Sequence, residues 1–153
     1  MKVDEFRRRW RDNDWADVGA GHYSATRIEF TVPGKPQPKQ RARRGRDGGW
    51  YTPKETVAFE RLVATQFRLA AGRHAPWSGE VALGVTVIGA HHATDASNVL
   101  KAVEDGLNKV AYRDDVQIVR THAEKRKVDD KGPRTVVVVM RMDAAAGEEA
   151  TDG

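Results

Sequence analysis

From position 26 the chain alternates. Thr26, Ile28, Phe30 and Val32 fall on one side of an extended segment and Arg27, Glu29 and Thr31 on the other, as in a strand half buried in a sheet. Pro33-Gly34 ends it. Between 54 and 71 the period changes: Phe59, Leu62, Val63, Phe67 and Ala70 recur at helical spacing. Thr52, Pro53 and Glu55 suit an N-cap, a first helical position and a capping box, and Gly72 suits the stop. Glu60, Arg61 and Arg68 lie off the stripe and give no chemical signal. Alternation returns over 80–89, with Val81, Leu83, Val85 and Val87 on one face and Ala82, Gly84, Thr86 and Ile88 on the other. The small residues of the second face predict room for a closely packed helix.

A second amphipathic helix is predicted from Asn98 to about 108–110. Val99, Leu100, Val103, Leu107 and Val110 share its apolar side, while Asn98, Lys101, Glu104, Asp105 and Asn108 share the other. A strand from Val116 to Lys127, a turn over 129–133 and a last strand from Arg134 to Met142 complete the pattern. The unbroken Val136–Val139 run predicts a central strand buried on both faces. The expected fold is α+β: a small mixed sheet of about four strands, in the order β-α-β-α-β-β, packed with two helices.

Composition adds boundaries. The chain of 153 residues suits one domain with a real core. Residues 1–22 read as an extension that could form a short helix around Val3, Phe6 and Trp10, residues 23–142 as the domain, and residues 143–153 as an acidic, disordered tail. The net charge of +4 hides an asymmetry, because the first segment sums to zero and the tail to −4, leaving +8 on the domain. That balance suits either a polyanionic partner or simple solubility. There is no cysteine, so disulfides and thiolate metal sites are excluded. With no apolar run long enough to span a bilayer and charges where a signal peptide needs an apolar core, no membrane association and a cytoplasmic location are expected.

The charge is concentrated in K-P-Q-P-K-Q-R-A-R-R-G-R-D-G-G-W, where Lys35, Lys39, Arg41, Arg43, Arg44 and Arg46 occur in one extended, glycine-loosened loop. Such density suits phosphate-backbone contact. Trp50 and Tyr51 could stack on bases or pack as core.

Acidic chemistry gathers around the second helix. Asp95 opens it, and Asp114-Asp115 follow it. A metal that cleaves phosphodiesters takes hard oxygen ligands, and a lysine such as Lys101 can offset developing charge. Asp95 and Asp115 could converge if the helix runs antiparallel to the strand before it. Each residue also has an ordinary explanation. Asp95 or Ser97 could cap the helix, Asp114 and Asp115 could be turn residues, and Lys101 with Asp105 could form an exposed i,i+4 pair. His91 and His92 could be ligands or merely exposed. Asp129 and Asp130 read as turn residues.

Together, D-A-S-N-V-L-K-A-V-E-D-G-L-N, then D-D-V-Q-I-V, resemble the RusA-like Holliday junction resolvases, whose motif runs D-x-D-N-L-x-K-x-x-x-D-x-L and then D-D-x-Q. The upstream P-G-K-P-Q-P-K-Q-R-A-R-R is similar to that family's Pro/Lys/Arg segment. The resemblance covers about residues 26–142. It implies a Mg²⁺-dependent endonuclease (Mn²⁺ substituting) that acts on four-way DNA junctions as a homodimer, with a phage or prophage setting. By position it implies metal binding by Asp95 and Asp115 and a catalytic role for Lys101, with Asn98, Asp105 and Asp114 at other motif positions. Ser97 departs from the pattern, standing where the motif has its second aspartate. It could bind a metal through water while Asp114 or Asp105 supplies charge. Two alternatives remain: a junction-binding protein that has lost cleavage through Ser97, and an interaction protein whose basic loop meets acidic protein surfaces.

Overall fold

The computed structural model describes residues 27–142; the expected extension over 1–22 and tail over 143–153 lie outside them. Four strands form one mixed sheet: β1 (Arg27–Pro33), β4 (Val81–Ile88), β5 (Ile118–Arg126) and β6 (Arg134–Arg141), in the spatial order β1-β6-β4-β5. β6 is antiparallel to both neighbours, and β4 is parallel to β5. Two helices, α1 (Lys54–Ala71) and α2 (Ala96–Leu107), complete the expected α+β architecture. A two-stranded ribbon, β2 (Arg43–Arg44) with β3 (Trp50–Tyr51), was not anticipated.

Apolar pattern decides the packing. Ile28, Phe30 and Val32 of β1, Val81, Leu83, Val85 and Val87 of β4, and Val137 and Val139 of β6 join the apolar faces of both helices in one buried core. Thus α1 and α2 lie on the face of β4 with the larger residues, contrary to the expectation that its small face would receive a helix. On that other face Ala82 joins Val138, Met140 and Met142 in a smaller cluster. Branched valines fill the space between sheet and helices, where β4 is buried along its whole length. β6 is central, as its valine run predicts.

The helix boundaries show local chemistry at work. Gly72 ends α1 at φ 65°, with its N–H bonded to the Arg68 carbonyl at 2.9 Å, a conformation glycine adopts without a Cβ penalty. The start differs from expectation. Pro53 is the N-cap, with φ −54° and ψ 145° and no side-chain cap bond. Its extended ψ moves the helix one residue on, leaving Thr52 too early to cap. Gly106 lets α2 approach α1, since a Cβ there would lie 2.8 Å from the Glu60 carbonyl oxygen and 3.0 Å from Val63. Beyond α2, Tyr112 is fully buried and donates its hydroxyl to the Glu104 carbonyl at 2.7 Å, which pins the return of the chain towards the sheet. The strand expected from Val116 begins two residues late, because Asp115–Gln117 form a 3-10 turn.

Candidate functional site

The connection β4-α2-β5 sets the position of every acidic candidate. β4 and β5 are parallel neighbours, with Val81 paired to Ile118 and Ile88 to Arg126, so the helix between them must carry the chain back to the start of β4. Asp95 therefore lies by the far ends of β4 and β5, and Asp114 and Asp115 by their beginnings. At 1.5 Å per residue a helix of 12 residues holds its ends about 18 Å apart. The expected convergence of Asp95 and Asp115 within one chain does not occur. The helix is antiparallel to β4 as supposed, and that is what separates the two acids. Among the described residues no cluster of three acidic or histidine side chains could hold a metal ion.

At the first end, Asp95 is the N-cap of α2. Its Oδ1 accepts the Ser97 N–H at 2.9 Å and the Ser97 hydroxyl at 2.7 Å. Ser97 therefore buttresses the cap rather than forming it. Its hydroxyl and N–H, with the nearby Lys101 and Lys125, hold the exposed Asp95 carboxyl below its usual range. Lys101 is exposed and makes no ion pair among the described residues, so the expected Lys101–Asp105 pair is absent. Lys125 donates to the carbonyls of His92 and Thr94, both at 2.8 Å, tying the loop before Asp95 to β5. Nothing in the sequence singled it out. His91 and His92 lie exposed with ring centroids 4.2 Å apart, and His91 Nδ1 accepts the Ala93 N–H.

At the second end Asp114 and Asp115 are both exposed, and their adjacent carboxyl groups shift each other's proton affinity in opposite directions. Asp114 accepts the Val116 N–H at 3.0 Å, and this bond, together with the adjacent Asp115 carboxyl, lowers its pKa. Asp115 moves up in response, its affinity for a proton increased by Asp114 and further by Asp105. Glu104 rises too, through burial and the neighbouring Asp105 and Asp115.

Gln117 fixes this end. Its Nε2 donates to the carbonyls of Trp77 and Gly79, both at 2.8 Å, and its Oε1 accepts the N–H groups of Arg113 and Asp114, both at 2.9 Å. One amide satisfies four backbone groups, a task a carboxylate or a hydroxyl lacks the donors and acceptors to perform. The D-D-x-Q spacing was the available signal, but its glutamine had no assigned role.

The basic segment divides in two. Its first part is fastened down: the Lys39 N–H donates to the Asn98 carbonyl at 2.8 Å, and the Gln40 N–H to the Thr56 hydroxyl at 3.4 Å. Lys39 Nζ lies 2.8 Å from both Glu60 and Asp105. Burial opposes its charge, but the hydrogen bonds to Asp105 and Glu60 prevail and raise its pKa. Lys39, a candidate DNA-binding residue, braces the segment against both helices, and Glu60 has the role its sequence position did not reveal. Lys35, Arg41, Arg43 and Arg46 remain exposed, without ion pairs among the described residues. Arg44 is also exposed, donating to the Gly48 carbonyl at 3.1 Å and lying 5.8 Å from the centre of the Trp50 ring.

Against known families, the model described as endodeoxyribonuclease RusA matches residues 33–140, more than half of the chain. No curated protein matches.

Proposed function

From the premise that this chain belongs to the endodeoxyribonuclease RusA family, we propose that it is a Mg²⁺-dependent, structure-selective DNA endonuclease resolving four-way junctions as a homodimer. The observation that carries the metal reading is the Asp114–Asp115 pair, two adjacent exposed carboxylates. Their hard oxygen donors fit Mg²⁺, with Mn²⁺ as a substitute. A bound divalent ion would supply an acidified water and charge relief at the leaving oxygen.

Asp95, Asp114 and Asp115 are the proposed metal-holding residues. Asp105 serves the site through Lys39 and the local field, and Ser97 orients Asp95. Lys101, exposed one and a half turns into α2, is the catalytic cation at the scissile phosphate. Lys35, Arg41, Arg43, Arg44 and Arg46 bind the backbone. The separation of Asp95 from Asp115 along α2 supports the dimer, because carboxylates from two chains would complete each ligand set. Two sites related by a two-fold axis also suit symmetric cuts in a two-fold junction.

The test uses a labelled synthetic four-way junction with Mg²⁺, beside Asp115→Asn and Asp95→Asn. Paired symmetric nicks by the native protein, lost in both variants, are expected. Undiminished cutting by Asp115→Asn would sink the site assignment. Mixing the two inactive variants tests the shared site: heterodimers recover cleavage if ligands come from two chains, and stay silent otherwise.

One observation favours a second reading. Ser97 stands at a carboxylate position of the motif, with its hydroxyl bonded to Asp95, so the site could bind junctions without cutting them. Salt-sensitive junction binding with no nicks at any Mg²⁺ or Mn²⁺ concentration would favour it, and a large gain from Ser97→Asp would identify missing charge as the cause.

A further inference from the structure

We propose that the β2-β3 ribbon is a stacking site for unpaired nucleobases, gripping the flanking phosphates and inserting its rings where strands separate. This deepens the reading above; it rests on DNA as the partner but not on cleavage. Trp50 is 69% and Tyr51 50% exposed, although large aromatic side chains are ordinarily well buried. The ribbon that carries them is a built structure. Gly45 donates to the Gly49 carbonyl at 2.7 Å and Gly48 to the Gly45 carbonyl at 3.0 Å, while the Gly49 N–H is held by Asp47 at 2.9 Å. Gly48 turns at φ 84°, a region other residues seldom enter. The loop expected to be mobile is therefore a short, hydrogen-bonded platform.

Its register gives the chemistry. Arg43 pairs with Tyr51 and Arg44 with Trp50, and directly opposed residues of an antiparallel pair lie on the same face. Each face thus presents one ring beside one guanidinium, which matches a nucleotide's base beside its phosphate. Arg46 adds positive charge at the turn. A polyanion with exposed π faces complements this surface; a fully paired duplex keeps its base faces covered and offers only the phosphates. The ribbon is tethered to the rest of the domain on the side of α2, since Arg43 follows by four residues the Lys39 whose N–H is bonded to Asn98.

The experiment measures binding of the full chain, without divalent cation, to three probes. These are short oligo(dT), a duplex of equal charge, and a four-way junction with a fluorescent adenine analogue at the exchange point. The double variant Trp50→Ala/Tyr51→Ala is expected to lose about tenfold or more in affinity for oligo(dT), with duplex affinity changed less than about twofold. The analogue's fluorescence change on binding should disappear in the double variant and persist in Trp50→Phe, which keeps a ring. Unchanged oligo(dT) affinity and an unchanged analogue signal would overturn the proposal. So would a double variant that loses self-association while keeping its preference for unpaired DNA, since the rings would then serve a protein interface. Because no cutting is measured, an inactive enzyme would leave this result readable.

Discussion

Replacing Lys39 with methionine removes the ammonium that joins three segments while keeping most of its aliphatic stem. Lys39, Glu60 and Asp105 have side chains 32%, 23% and 38% exposed, so solvent screens both pairs. Each should contribute about 0.5–1 kcal/mol, and the variant leaves Glu60 and Asp105 facing each other without their counterion. A loss of about 1–2 kcal/mol follows, reduced in high salt. In urea unfolding this appears as a lower midpoint with an unchanged slope. DNA binding decides between a brace and a phosphate contact. Each phosphate neutralised contributes about 0.9 to the slope of log affinity against log salt, so Arg41→Ala should flatten that slope by about this amount and Lys39→Met should leave it unchanged. A Lys39→Met protein of native stability whose slope falls by about 0.9 would refute the assignment.

Gln117→Leu removes an amide that satisfies four backbone groups and should cost about 2–4 kcal/mol by thermal or urea unfolding. At temperatures where it remains folded, junction cleavage should fall at least about tenfold, with affinity changed far less, if Asp114 and Asp115 need this support. Gly106→Ala forces a Cβ against the Glu60 backbone and should lower stability by about 1–3 kcal/mol, as a melting curve will show. Asp129, bonded to Arg134 at 2.6 and 2.8 Å, has its pKa depressed to about 2. Its stabilising effect is therefore present above the ordinary carboxyl pKa near 3.8 and is lost as pH falls from about 4 to about 2. Asp129→Asn should remove that part of the acid dependence in pH-resolved unfolding.

Much of the frame was legible because its pattern is local. The alternation of Ile28, Phe30 and Val32, the helical stripe of Phe59, Val63 and Phe67, and the valines of β6 each specify an element and its buried face. Which face of β4 received the helices was not local: α1 and α2 chose the larger side chains, whose volume fills the interlayer space. The ribbon escaped notice because it has only two residues per strand, and glycines suggested mobility where hydrogen bonds impose order. The site was legible as a set of residues but not as a geometry. The same spacing that places Asp95 before α2 and Asp115 after it suits either convergence or separation, and only the parallel pairing of β4 with β5 decides. Lys39 shows the remaining limit. Basic composition identifies a cation, whereas its carboxylate partners lie 21 and 66 positions away in the chain.

β6, which is the last strand made among the described residues, occupies the inside of the sheet, between β1 and β4. During synthesis β4, α2 and β5 can associate as soon as they emerge, but β1 has no strand to pair with until Arg134–Arg141 is available. A growing or prematurely terminated chain therefore keeps unpaired strand edges on both sides of a missing centre, the kind of species that aggregates or is degraded. Completion of the sheet is held back until its final strand has been made. The β4-α2-β5 segment that carries Asp95, Asp114 and Asp115 can therefore assemble before β1 has a strand to pair with.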